Sequence, residues 1–169
     1  MKDIQIAIIG AGIGGMTAAV TLAQKGFKVK VFEQAPELSE VGAGLTVTPN
    51  ATKGLIYLGL GEAMNKIGMA HDLQGVRHYQ TKEIIVPLKR GKHMLEKYGA
   101  YQFQVHRADI HDLLIENLEQ HSPGCVSVDH QLVGIDQKSD RVKLIFNNQA
   151  EYECDFVIGA DGTRSAVRK

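Results

Sequence analysis

The stretch that decides the fold is IIGAGIGG, residues 8–15, which places four glycines between positions 10 and 15. The β-branched run just before the glycines, Ile4–Ile9, predicts a buried strand. Apolar residues then recur at helical spacing over 16–23, and Gly26 stands where a helix commonly ends. Glycine in this quantity at a strand-to-helix junction indicates that another molecule comes close to the main chain there.

A second strand, KVKVFE at Lys28–Glu33, completes a strand–helix–strand unit whose strands we expect to be parallel. Gly10, Gly12 and Gly15 match the pattern G-x-G-x-x-G at its first turn. The first glycine permits the turn, the second lets a pyrophosphate approach the backbone, and the third allows close helix–strand packing. The helix N-terminus offers unpaired N–H groups to the phosphates, and Glu33 can accept hydrogen bonds from an adenosine ribose. These features predict an adenine dinucleotide site, the alternative being a glycine turn that is merely flexible.

The rest of the chain predicts further helices and strands that extend this unit. Helices are expected from Pro49 to Leu58, over Glu62–Ile67 and over Arg107–Gln120, where one apolar stripe runs along the helix. The segment from Asp72 to Val105 is strand-like, so we expect an antiparallel excursion there. Three strand-like runs follow, at Val126–Asp136, Val142–Phe146 and Tyr152–Gly159. The predicted class is α/β, with a mainly parallel sheet and a β-meander crossover.

Composition excludes some functions. The chain has 169 residues, and its 19 Lys and Arg residues balance its 19 Asp and Glu residues, with no basic run. A nucleic-acid groove or an anionic membrane surface as partner is therefore not expected. The uncharged segment 6–23 superficially resembles a signal peptide or membrane span, but its central glycines and the acidic Asp3 before it argue against both. We predict a cytoplasmic protein.

No metal or nucleophilic centre is predicted. Cys125 and Cys154 lack CxxC spacing and are expected to be two buried thiols. His106 and His111 are five positions apart, which misses the helical spacing of a metal-binding pair. G-x-S-x-G, P-loop and H-E-x-x-H motifs are also absent from the sequence, so no catalytic residue is assigned.

Four stretches together resemble one family. They are GAGIGG with VFEQAPEL, then VGAGLTVTPNATKGLIYLGL, YGAYQFQVHRADIHDLL and CDFVIGADGTRSAVRK. In this order they resemble the FAD-dependent aromatic-ring monooxygenases of the para-hydroxybenzoate hydroxylase type, in particular the salicylate hydroxylase and 6-hydroxynicotinate 3-monooxygenase branch. The resemblance runs from Ile4 to Arg168. The later Gly-Asp motif of that family is absent, so the chain is expected to be the N-terminal part of such an enzyme.

The resemblance implies an FAD site whose residues can be named in this sequence. The implied cofactor-binding residues are Gly10, Gly12, Gly14, Gly15, Glu33, Gln34, Gly44, Arg107, Leu132, Asp161 and Gly162. Arg164 and Arg168 belong to the same last stretch. Arg107 could instead form a surface salt bridge with Asp109 or Asp112, Asp161-Gly162 could be only a turn, and Leu132 could be only a core residue. Thr46 is expected on the substrate side, where the 6-hydroxynicotinate enzymes carry a histidine.

The implied function is hydroxylation of a small aromatic acid, with FAD as cofactor, NADH or NADPH as electron donor and O2 as co-substrate. The implied domains are 1–71, an ADP-binding unit with its following helices; 72–105, partial strands of a substrate domain that begin an antiparallel layer; and 106–169, a truncated continuation of the FAD-binding domain. Two alternatives remain open, namely an NAD-dependent oxidoreductase and a non-catalytic FAD-binding module. We expect the isolated chain to bind FAD weakly and to turn over no substrate.

Overall fold

A computed structural model describes residues 3–39, 43–138 and 140–169. The elements, in chain order, are β1 Gln5–Ile9, α1 Ile13–Gln24, β2 Lys28–Phe32, β3 Gly44–Val47, α2 Pro49–Tyr57, α3 Gly61–Ile67, β4 Leu73–Arg77, β5 Ile84–Lys89, α4 Lys92–Tyr98, β6 Phe103–His106, α5 Arg107–His121, β7 Val126–Ser127, β8 Leu132–Gln137, β9 Val142–Phe146, β10 Glu151–Cys154 and β11 Phe156–Gly159. The chain divides into two compact units, Met1–Glu40 with His111–Lys169, and Val41–Ile110. The predicted domains had other boundaries, at 71 and 105, and they stay a prediction.

The first unit contains a four-stranded sheet in the order β11-β1-β2-β7, and all its neighbouring strands are parallel. β1 lies in the middle and is buried over its last four residues, as its β-branched composition predicted. α1 connects β1 to β2 and buries Met16, Ala19 and Val20. It ends at Gln24, and Gly26 follows with a φ of 82°, which is the predicted helix-ending glycine. The predicted α/β class and parallel sheet are confirmed.

A three-stranded antiparallel sheet, β10-β9-β8, also belongs to the first unit and is the predicted meander. Its inner face joins the parallel sheet in one apolar cluster. The buried members of that cluster are Ala7, Ile9, Phe32, Leu132, Leu144, Phe146 and Cys154. Within it, the rings of Phe32 and Phe146 pack together, with centroids 4.5 Å apart. Cys125 and Cys154 are both buried free thiols, as predicted.

Two predicted strands are each divided in the structure. The run predicted as one strand over Val126–Asp136 forms β7, which pairs with β2, and then β8, which pairs with β9. The run predicted over Tyr152–Gly159 forms β10 and β11, which belong to different sheets. Asp155 separates them, because its N–H donates to Gln5 O and its Oδ2 accepts the Gln5 N–H. The chain thereby leaves the meander and enters the parallel sheet.

The second unit combines two antiparallel strand pairs with short helices. β3 pairs with β6, and β4 pairs with β5 across a register shift at Val76/Arg77. The strand-like prediction over 72–105 was wrong for Lys92–Tyr98, which is α4. Asp72 stabilises the start of α4, since its Oδ1 accepts the Lys92 N–H at 3.0 Å. Gly99 ends it in the left-handed conformation.

Some predictions fall outside what the structure describes. Val41 and Gly42 begin the second family-like stretch and lie outside the described residues. Within 3–39, 43–138 and 140–169, no helix combines the length and apolar character needed to cross a membrane.

Candidate functional site

The turn between β1 and α1 is built by Gly10. Its φ of 101° lies in the region that favours glycine, and a Cβ there would lie 2.5 Å from the Ala160 oxygen. The Gly10 N–H donates to Phe32 O at 2.8 Å, and the Ala160 N–H donates to Ile9 O at 2.8 Å. The loop is therefore held between the ends of the two strands that flank β1.

The other glycines of the loop divide into two kinds. A Cβ at Gly15 would lie 1.9 Å from the Gly10 oxygen, so α1 packs against the turn at a distance that only glycine allows. Beside Gly12 and Gly14, no described atom other than those of the chain neighbours and the backbone of α1 lies within 4 Å of a Cβ position, so both face open space. Gly12 is the N-cap of α1, and among the described residues no side chain caps it. No capping side chain therefore competes with a ligand for the first N–H groups of α1.

Glu33 follows β2 directly and turns its carboxylate back to the loop. Its Oε2 accepts the Ala11 N–H at 2.7 Å, and its Oε1 accepts the Ala35 N–H at 3.0 Å. An ionised carboxylate has about four acceptor positions, so these two bonds leave capacity on both oxygens. Glu33 thus fixes the loop and can also accept further donors.

A cavity of about 690 Å³ opens over the loop, within the first unit. It lies at the carboxyl ends of β1 and β2, where parallel sheets usually bind ligands. Six of the predicted cofactor residues line it, namely Gly10, Gly12, Glu33, Gln34, Leu132 and Asp161. Arg164 and Lys169 add cationic side chains, and His130 adds an aromatic ring.

Asp161 follows β11 and organises the segment after it. Its Oδ2 accepts the Ala166 N–H at 2.6 Å and the Val167 N–H at 3.1 Å. Burial raises the pKa of this carboxyl, but the nearby Ser165 hydroxyl and the two N–H donors outweigh burial, so the pKa is lowered overall. Its buried Oδ1 has no partner among the described atoms. Asp161 therefore stabilises a turn and keeps one unused acceptor, while Gly162 follows with a φ of 75°.

Prediction from the sequence missed a contribution from His111. This residue was considered only as half of a metal pair, but its side chain is 3% exposed and its Nε2 lies 2.6 Å from the Ala11 oxygen. The signal was present in the sequence, because His111 is spaced with Leu114 and Leu118 on the buried stripe of α5. A histidine on such a stripe needs a polar partner.

The remaining predicted residues lie elsewhere. Gly14 and Gly15 belong to the first turn of α1, and Gly162 belongs to the turn after β11; none of these three is among the residues lining the cavity. Gly44, Thr46 and Arg107 belong to the second unit. There, Gly44 pairs with His106 across β3 and β6, the Thr46 hydroxyl lies 3.4 Å from Gln104 Oε1, and the Arg107 N–H donates to Ala43 O.

Comparison with protein families gives a match over nearly the whole chain. A family model described as FAD binding domain matches residues 3–169. The 6-hydroxynicotinate 3-monooxygenase of Pseudomonas fluorescens is 38% identical over 98% of this chain, and the salicylate hydroxylase of Pseudomonas putida is 32% identical over 98%. This chain spans 42% of the length of the first relative and 37% of the second.

A solved structure has a similar backbone. The crystal structure of Klebsiella pneumoniae HpxO complexed with FAD and uric acid matches with a TM-score of 0.85 and 29% sequence identity. The match covers 98% of this chain and 41% of that chain.

Proposed function

The chain belongs to the FAD binding domain family, and from this premise we propose that its first unit holds the adenosine diphosphate part of FAD in the cavity over the glycine loop. We propose further that the protein is a monooxygenase that hydroxylates a small aromatic acid with NADH or NADPH and O2. The observation that carries the proposal is the open space beside Gly12 and Gly14 at an uncapped helix N-terminus.

The residues present fit the cofactor. A cavity of about 690 Å³ is within the usual range for small-molecule sites, about 300–1,000 Å³. Anionic phosphates are favoured at the N-terminus of α1, whose first turn carries no acidic residue. Glu33 retains acceptor capacity for two ribose hydroxyls after its bonds to Ala11 and Ala35. The diphosphate and the ribose thus each have a partner of matching chemistry.

Individual roles follow from this fit. We assign the diphosphate to the N–H groups at Gly12 and Gly14, and the ribose to Glu33, with Gln34 beside it. Leu132 lies at the cavity wall next to a register shift in β8. Its side chain is buried in the core cluster, so we assign its backbone to the adenine. Asp161 lies at the cavity wall and keeps its predicted role as a cofactor contact. Gly44, Gly162 and Arg107 keep their predicted roles as cofactor contacts.

Bound FAD supplies the redox chemistry, because a flavin reduced by NADH or NADPH can activate O2. The described residues of this chain bind and orient the cofactor, and none is assigned to move a proton in the reaction. The aromatic acid is proposed from the relatives, whose names specify 6-hydroxynicotinate and salicylate. Thr46 stays a predicted substrate-side residue, and the cytoplasmic location belongs to the same proposal.

The test compares two glycine substitutions that meet equally open space. Gly12→Ala places a methyl group where the diphosphate approaches, whereas Gly54→Ala places one on α2, where no described atom outside the helix backbone and the chain neighbours lies within 4 Å. We expect Gly12→Ala to keep its fold, because the φ of Gly12 is −67°, and to lose FAD binding. Gly54→Ala should bind FAD like the unmodified protein. Equal FAD affinity of the two variants, measured by flavin fluorescence, would refute the assignment of the diphosphate.

A second candidate is an FAD-binding module without catalysis, since every contact assigned above is to the cofactor and none acts on a substrate. It predicts a yellow protein that does not oxidise NADH or NADPH faster when salicylate or 6-hydroxynicotinate is added. A monooxygenase predicts such stimulation together with a hydroxylated product. A colourless protein that still binds NADH would instead favour the NAD-dependent oxidoreductase.

A further inference from the structure

We propose that His111 is a positioning residue for the dinucleotide site: its bond to the Ala11 carbonyl turns the Gly12 N–H toward the cavity. The inference rests on the proposed function, since it concerns how the same loop receives a diphosphate. His111 itself lines no part of the cavity. It acts through the peptide group that joins Ala11 to Gly12.

The bond requires one state of the imidazole ring. His111 is 3% exposed, Ala11 is 2% exposed, and the Nε2–oxygen distance is 2.6 Å. A carbonyl oxygen can only accept, so Nε2 carries the proton. Nδ1 is also buried and has no partner in the described part of the chain. A hydrogen on Nδ1 would therefore be buried without an acceptor, so the geometry places the ring hydrogen on Nε2.

The planarity of the peptide transmits this bond to the cavity. In a trans peptide the C=O and the N–H of the next residue point in opposite directions, and no cis peptide occurs in the described residues. Because His111 holds the Ala11 oxygen on the α5 side, the Gly12 N–H points to the opposite side. Gly12 lines the cavity and has open space beside it, so that side is where the ligand is proposed to bind.

The preceding peptide is fixed in the same way. The Ala11 N–H donates to Glu33 Oε2 at 2.7 Å, and the Gly10 oxygen on the other side of that peptide is the atom that a Cβ at Gly15 would meet. Both peptides of Ala11 are thus held by side chains, Glu33 after β2 and His111 in α5. A loop fixed before the ligand arrives binds more tightly, because less conformational freedom is lost on binding.

The experiment compares three variants by their Kd for FAD and for ADP, which share the diphosphate. His111→Phe keeps a ring but removes the donor, and His111→Gln restores an N–H at a similar reach. Leu118→Ala, on the same buried stripe of α5, is the control for lost packing. We expect His111→Phe to weaken both ligands about tenfold or more, since an acceptor is left buried and unpaired. His111→Gln should remain within about threefold, and Leu118→Ala should lower the melting temperature but leave both Kd values unchanged.

Three results would overturn the inference: unchanged Kd values for His111→Phe, a His111→Gln variant as weak as His111→Phe, or ring 15N shifts that place the His111 proton on Nδ1. The shifts are measured on the unmodified protein, so they decide the matter even where a variant does not fold. An unmodified protein that binds neither FAD nor ADP would instead refute the proposed function, and the ring shifts would still report on the histidine bond.

Discussion

Replacing Glu33 by glutamine removes the charge of the side chain while keeping its shape. The carboxylate accepts two backbone N–H groups, from Ala11 at 2.7 Å and from Ala35 at 3.0 Å. A carboxamide can accept only through its oxygen, so one of these two N–H groups would face an NH2 group and lose its acceptor. The substitution Glu33→Gln therefore breaks one of the two bonds and weakens the other.

The expected losses of stability and of FAD affinity follow from the strength of hydrogen bonds to charged groups. Such bonds contribute about 1.5–3 kcal/mol each, against about 1 kcal/mol for neutral pairs. Because Glu33 is half-buried, we expect the free energy of unfolding to fall by about 2 kcal/mol. The proposed ribose bonds to the carboxylate weaken as well, so the Kd for FAD should rise about 10- to 150-fold.

Two measurements separate these effects. Unfolding in denaturant is followed by circular dichroism, and FAD binding is followed by flavin fluorescence under conditions where each variant is folded. The matched control is Glu37→Gln, the same chemical change at an exposed carboxylate of the same segment. The reasoning is wrong if Glu33→Gln and Glu37→Gln bind FAD with equal Kd values.

Two further predictions concern the glycine loop and the turn after β11. Gly15→Ala should lower the free energy of unfolding by about 3 kcal/mol, because its methyl group would lie 1.9 Å from the Gly10 oxygen. The control Gly14→Ala meets open space and should not destabilise the protein. Denaturant titrations of the two variants measure the difference. The lowered pKa of Asp161 means that its ionised form stabilises the fold above the ordinary aspartate pKa of about 3.9, and that this stability is lost as the pH falls through the lowered value. Asp161→Asn should therefore be less stable than the unmodified protein at pH 7 and should approach it in acid, while the exposed control Asp112→Asn should show no such convergence in melting temperature.

The glycine loop could be predicted from the sequence because its constraints are local. The positive φ at Gly10 and the close contact at Gly15 leave no room for a side chain at either position. Glycine at both positions therefore indicates the turn in the sequence. Glu33 follows at the end of the next strand for the same topological reason. Family likeness supplied the more distant members of the cavity, Leu132 and Asp161, which no local pattern connects to the loop.

The divided strands could not be predicted, because an apolar run does not specify its partner. The pattern over 152–159 predicts one strand, yet Asp155 exchanges two hydrogen bonds with Gln5 and moves the chain from one sheet to another. α4 was missed for a related reason. Its first turn is capped by Asp72, whose approach depends on tertiary structure and not on a neighbouring residue in the sequence.

The bonds that fix Ala11 connect the stability of the first unit with its affinity for a dinucleotide. A ligand that binds only the folded chain stabilises it by about 2.7 kcal/mol at 100 times its Kd. At that same concentration, a variant with tenfold weaker binding gains only about 1.4 kcal/mol. Loss of the His111 or Glu33 bond therefore has two effects. It lowers the free energy of unfolding of the free protein, and it reduces the additional stabilisation that bound FAD provides. Leu118→Ala, which leaves Ala11 untouched, should lower only the stability of the free protein and keep the stabilisation by FAD. The FAD-induced shift in melting temperature therefore distinguishes loop positioning from packing.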